Sequence, residues 1–117
     1  ERKIAITKSS DGTIIANAFV TKEQVSIILE NNVTVDTKTP PLKTFFIDRI
    51  IAEMKKNDIQ QVEDGKIKNH EVIDCIINDN GSKIREIIIK NYRQKERVDE
   101  IINTATWSLT RMIENSA

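Results

Sequence analysis

The sequence predicts an α+β fold that is predominantly α, with four to five helices and an N-terminal β-hairpin. Two observations support this prediction. Residues 4–20 hold alternating, β-prone residues around a turn, which is typical of a pair of strands. Further along, apolar residues recur at spacings of three and four, which is the period of an amphipathic helix. The short connectors between these segments favour helices that are antiparallel neighbours.

The predicted hairpin turns at Ser9-Ser10-Asp11-Gly12, because Gly12 is able to adopt the positive φ that such a turn requires. A lone hairpin is only marginally stable, so we expect the helices to pack on it. The first predicted helix begins at Thr21, since Gln24 follows three residues later as in a capping box. Its apolar face consists of Val25, Ile28 and Leu29.

Four further helices are predicted, over about 40–57, 69–79, 82–92 and 96–114. Pro40-Pro41 is compatible with the start of the first of them, because proline is tolerated in the first helical turn. Asn80-Gly81 is a strong stop between the second and the third. No helix breaker occurs over residues 93–95, so the last two are either separate or continuous. The clearest apolar stripe is that of the last helix: Val98, Ile101, Ile102, Ala105, Leu109, Met112 and Ile113.

Length and composition predict one domain over residues 1–117, with 38% hydrophobic and 31% charged residues. Because the chain begins with Glu1 rather than Met, we interpret it as a domain excised from a longer chain. Isoleucine occurs 21 times against three leucines, which indicates AT-rich codons. We therefore expect a low-GC genome such as that of a phage, a virus or another mobile element.

The balance of charged residues limits the choice of binding partner. Lys and Arg total 18, as do Asp and Glu, whereas a non-specific nucleic-acid binder usually has a basic excess. No apolar run approaches the roughly 20 residues of a membrane span, and no signal peptide is visible. Cys75 is the only cysteine, so no internal disulfide forms, which fits a reducing compartment. We expect a cytoplasmic or otherwise intracellular protein that does not bind membranes.

Catalytic chemistry finds little support in the sequence. His70 is the only histidine, and Cys75 follows five residues later, about 140° around a helix, where the two side chains would not meet. Metal ligation needs more His and Cys residues than the chain contains. No phosphate-binding glycine motif is present. We therefore expect a protein that is not an enzyme and that has no metal or cofactor.

The last predicted helix carries the main functional hypothesis. Trp107 points almost opposite the apolar stripe, and a tryptophan on a polar face is typical of an interface anchor. Arg111, four residues on, is placed to stack on the ring. The hypothesis is a non-enzymatic interaction or regulatory domain whose C-terminal helix binds another protein, or a second copy in a homodimer. The predicted interface consists of Trp107, Arg111, Thr104, Glu100, Ile27 and Phe45; the alternative is that another element of the domain covers Trp107.

A second hypothesis is a nucleic-acid-binding or transcription-regulatory domain that uses the basic stretch 83–97. On a helix, several of these cations would lie opposite the isoleucines and contact phosphates. A solvated helix face with a Glu86–Lys90 pair explains the same pattern. The candidate residues are Lys83, Arg85, Lys90, Arg93, Lys95 and Arg97.

Overall fold

The computed structural model describes residues 1–116 and contains strands at three places where the sequence analysis expects helices. Its centre is a five-stranded antiparallel sheet in the order β1-β2-β3-β5-β4. The strands are β1 (Arg2–Thr7), β2 (Ile14–Val20), β3 (Gln24–Leu29), β4 (Asp74–Asn80) and β5 (Lys83–Lys90). The prediction of a predominantly α, helical domain with four to five helices is therefore wrong.

Two helical regions complete the fold. The first is a π-helix, Leu42–Ile51, which continues directly into α1, Ala52–Glu63. The second is α2, Lys95–Asn115, and a short 3-10 turn, Asn69–Glu71, precedes β4. The helix predicted over 96–114 is confirmed, and the one predicted over 40–57 is present but extends to residue 63.

The first wrong helix is the one predicted from Thr21. The hydroxyl of Thr21 accepts hydrogen bonds from the N–H groups of Glu23 and Gln24, both at 3.3 Å, as a helix cap would. Here these bonds lie in the turn between β2 and β3. The turn is also closed by a further hydrogen bond, from the N–H of Thr21 to the carbonyl of Gln24. A capping signal does not distinguish a helix start from this hairpin turn.

The other two wrong helices lie on each side of Gly81. Residues 74–80 and 83–90 form the β4–β5 hairpin, and Gly81, with φ of 83°, lies in its turn. Runs of isoleucine satisfy both a helical and a strand pattern, but β-branched side chains favour a pleated sheet. Strand pairing on both sides of β5, with β3 and with β4, determines the outcome.

The core lies between one face of the sheet and the helices. Strand alternation places Val25, Ile27 and Leu29 of β3 on the covered face, beside Ile87 and Ile89 of β5. The stripe on α2 is buried in the same cluster: Val98, Ile101, Ala105, Leu109 and Met112. This packing orients the opposite side of α2 outward, toward solvent.

Candidate interaction surface

Trp107 is exposed on the outer side of α2, with 48% of its surface accessible. It is not isolated there, because the ring of Phe45 approaches it edge-on with the ring centroids 5.0 Å apart. The guanidinium of Arg111 lies 6.0 Å from the centre of the Trp107 ring. This distance is at the limit of a favourable cation–π contact. Three of the predicted interface residues thus form one cluster.

The π-helix explains how Phe45 reaches α2. Its fully buried side chains, Leu42, Phe46 and Ile51, are spaced by four and then five residues, as the wide turn of a π-helix allows. Phe46 enters the core, and Phe45 beside it is only half-buried. Phe45 is therefore available to pack on Trp107 from the neighbouring helical segment.

Thr104 and Glu100 extend this surface toward the start of α2. The hydroxyl of Thr104 donates to the carbonyl of Glu100 at 2.6 Å, so the side chain is fixed against its own helix. Glu100 is exposed, and at the other end the Arg111 guanidinium lies 3.6 Å from Glu114. We use the name Trp107 surface for Glu100, Thr104, Trp107, Arg111 and Phe45.

Ile27 does not belong to this surface. On a helix it would lie off the apolar face, but on strand β3 it alternates with Ser26 and Ile28 and points into the core. Its accessible surface is 0%. The error follows directly from the wrong secondary structure.

The basic stretch does not form one face either. Lys83 and Lys90 are exposed at opposite ends of β5, and Lys95 is exposed in the first turn of α2. The guanidinium of Arg85 donates to the carbonyls of Ile84 and Val33. The cations that a helix would have aligned are thus distributed over β5, the connector that follows it and α2.

Arg93 and Arg97 are engaged by a buried carboxylate. Asp58 of α1 is 0% accessible and accepts hydrogen bonds from Arg93 at 2.6 Å and from Arg97 at 2.8 and 3.1 Å. The N–H of Ile73 donates to the same carboxylate at 2.9 Å. Arg97 is buried as well and also donates to the carbonyl of Met54. The two arginines thus join α2 and the connector before it to α1, and their charges are paired with Asp58.

Cys75 and His70 lie on different elements, β4 and the 3-10 turn before it. Cys75 is partly buried on β4, and burial, with a smaller contribution from the charge of Asp74, raises the pKa of its thiol to about 11. A thiol with this pKa is protonated at neutral pH and is a poor nucleophile. His70 is exposed in the 3-10 turn. Within residues 1–116, no group of three or more His, Cys, Asp or Glu side chains is placed to hold a metal ion.

The uncovered face of the sheet was not predicted from the sequence. Phe19 and Ile28, 38% and 43% accessible, project from this face, and Ile14, the first residue of β2, is also exposed. Strand alternation in β3 would have indicated it, because Ile28 follows the buried Ile27. Antiparallel sheets often leave one face to solvent, so exposure alone assigns no partner to these residues.

No helix within residues 1–116 has the length and apolarity that a membrane crossing requires. No family model, curated protein or solved structure matches the chain, and its function is therefore inferred from the contacts described above.

Proposed function

We propose that this domain is not an enzyme and acts by binding another protein through the Trp107 surface. The observation that carries this proposal is the half-exposed Trp107 ring, with the Phe45 ring packed against it and the Arg111 guanidinium nearby. Tryptophan, tyrosine and arginine are enriched among the residues that contribute most to binding free energy. A tryptophan that stays about half exposed while it packs on Phe45 fits this role.

The contact between Phe45 and Trp107 prepares the surface for binding. A side chain that is already fixed loses less conformational entropy when a partner covers it. Phe45 restricts the Trp107 ring, and the ring adds rigid apolar area. Glu100 and Arg111 supply charges of opposite sign at the ends of this area, as the polar rim of an interface does.

These contacts favour protein binding over the nucleic-acid hypothesis. A phosphate-binding face needs several cations that are free and close together. Arg93 and Arg97 instead neutralise Asp58, and Lys83 and Lys90 lie seven positions apart on β5.

Site-specific cross-linking tests the proposal. A photoreactive phenylalanine derivative is placed at Asn103, which is exposed one turn before Trp107, and cross-linked species are identified in cells that express the protein. We expect a defined protein adduct that Trp107→Ala reduces by about 30-fold, the effect of a hot-spot residue worth about 2 kcal/mol. Ile59→Ala is the matched control, since Ile59 is 45% accessible on α1, outside this surface. If Trp107→Ala and Ile59→Ala give the same adducts in the same yield, the proposal is wrong.

A further inference from the structure

Four residues of the Trp107 surface follow the spacing of a helix–helix seam. Glu100, Thr104, Trp107 and Arg111 are separated by four, three and four residues. At about 100° per residue, they fall within an arc of roughly 60° on α2. Alternating steps of three and four residues are the pattern that two packed helices present to one another. This seam lies on the outer side of α2, away from the seam that packs on the sheet.

The side chains along this seam are complementary to those of a second copy of the seam that runs in the opposite direction. An acidic residue occupies the first position and a basic residue the last, with Thr104 and Trp107 between them. When a second copy of the seam is aligned in the opposite direction, Glu100 meets the partner's Arg111 and Thr104 meets the partner's Trp107. A parallel alignment would place Glu100 against Glu100 and Arg111 against Arg111.

Resting on the proposed function, we propose that the protein bound by the Trp107 surface is a second copy of this chain, with the two α2 helices antiparallel around a twofold axis between Thr104 and Trp107. A twofold interface must be self-complementary, because the same patch is present on both sides. In the antiparallel dimer, the Glu100 carboxylate of each copy meets the Arg111 guanidinium of the other, so two such pairs form. Each Trp107 ring then covers the small Thr104 side chain of the opposite helix, and Phe45 of each copy borders the contact.

The existing partner of Arg111 does not prevent this pairing. Arg111 and Glu114 are 3.6 Å apart, and their side chains are 54% and 41% accessible. An exposed pair of this kind contributes little and is easily exchanged for another carboxylate. In the antiparallel dimer, the Arg111 guanidinium is shared between Glu114 and the Glu100 carboxylate of the other copy.

The size of the seam determines the concentration range of the test. One helix seam of four positions with a flanking phenylalanine belongs to the small, transient class of interfaces. We therefore expect reversible association with a micromolar or weaker Kd. Sedimentation velocity on the intact chain, over a broad concentration series, resolves such an equilibrium.

Charge-reversal variants of Glu100 and Arg111 test whether the two α2 helices pair in this antiparallel arrangement. In Glu100→Arg alone, both contacts between the copies bring two guanidinium groups together, and in Arg111→Glu alone, both bring two carboxylates together. We expect each variant to dimerise about tenfold more weakly than the parent chain, from the loss of two exposed pairs and their replacement by repulsion. An equimolar mixture of the two variants restores both contacts in one heterodimer, with an affinity within about twofold of the parent. Asp99→Arg is the control, because Asp99 is exposed on α2 outside the seam and its reversal leaves dimerisation unchanged.

The outcomes are distinct. Weak homodimers and a restored heterodimer support the antiparallel pairing. A parent chain that stays monomeric at all concentrations overturns it, and so does a mixture that associates no better than the separate variants. Neither result decides the broader proposal, which fails only if the Asn103 cross-linking adducts are independent of Trp107.

Discussion

The buried carboxylate of Asp58 holds the guanidinium of Arg97 through two hydrogen bonds, at 2.8 and 3.1 Å, and so connects α1 to the first turn of α2. Removal of this charge leaves the buried Arg97 and the largely covered Arg93, whose side chain is 21% accessible, without their counterion. Asp58→Asn should therefore lower the free energy of unfolding by about 3–5 kcal/mol. Urea denaturation followed by circular dichroism measures the change.

Asp48→Asn is the control for this prediction. Asp48 also pairs with a cation, Lys43 at 3.0 Å, but both side chains are largely exposed. An exposed pair contributes about 0–1 kcal/mol. Equal losses in the two variants would show that the Asp58 cluster is not the buried junction described here.

The stability of the domain should depend on pH through Asp58. Burial by itself raises the pKa of this carboxyl, but hydrogen bonds from Arg97 and from the N–H of Ile73 lower it, and the net pKa lies below its ordinary value. The stabilisation is therefore fully present above the unfolded pKa, about 4, and is lost as the pH falls through the folded pKa. Below about pH 4, the difference in urea midpoint between the parent chain and Asp58→Asn should become smaller. A difference that stays constant down to about pH 2 would contradict this assignment.

Two adjacent isoleucines should respond very differently to truncation. Ile27 is fully buried and Ile28 is 43% accessible, because neighbouring residues of β3 face opposite sides of the sheet. Ile27→Ala should destabilise the fold by about 2–5 kcal/mol through the cavity that it leaves. Ile28→Ala should change stability by less than about 1 kcal/mol. Thermal and urea unfolding of both variants compare them directly, and similar losses would contradict the strand.

The Cys75 thiol should react slowly in the folded chain. Its pKa is raised from 9.0 to about 11, chiefly by burial, so about 100-fold less thiolate is present near pH 8 than for an unperturbed thiol. The rate of reaction with an aromatic disulfide reagent should therefore increase by about 100-fold or more in denaturing urea. A native rate equal to the denatured rate would show that the thiol is accessible and unperturbed.

Local signals in the sequence identified some elements well. The stripe on α2 repeats over several turns, and no strand accommodates such spacing, so both the helix and the outward position of Trp107 were predictable. The β1–β2 hairpin was predictable from Gly12, whose φ is 76° in its turn. In both cases the residues that determine the structure are close together in sequence.

The remaining elements depend on contacts between distant parts of the chain. Ile87, Ile88 and Ile89 suit a buried helix or a strand equally, and pairing with β4 and with β3, the latter some 60 residues earlier, determines that they form a strand. The approach of Phe45 to Trp107 also joins segments that are far apart in sequence. The Asp58 cluster was missed for the same reason, since a buried carboxylate is recognised only with its arginine partners in place.

The connector between β5 and α2 has a mechanical consequence for the Trp107 surface. Asn91 and Arg93 have φ angles of 62° and 63°, and the Asn91 amide is held by the carbonyls of His70 and Val72. These contacts fix the connector at the start of α2, and Trp107 lies twelve residues, about 18 Å, beyond Lys95 along the helix. A tilt of α2 by about 5° at this corner would move Trp107 by roughly 1.6 Å. Sequence changes at this corner would therefore alter the geometry of the surface without touching any residue in it.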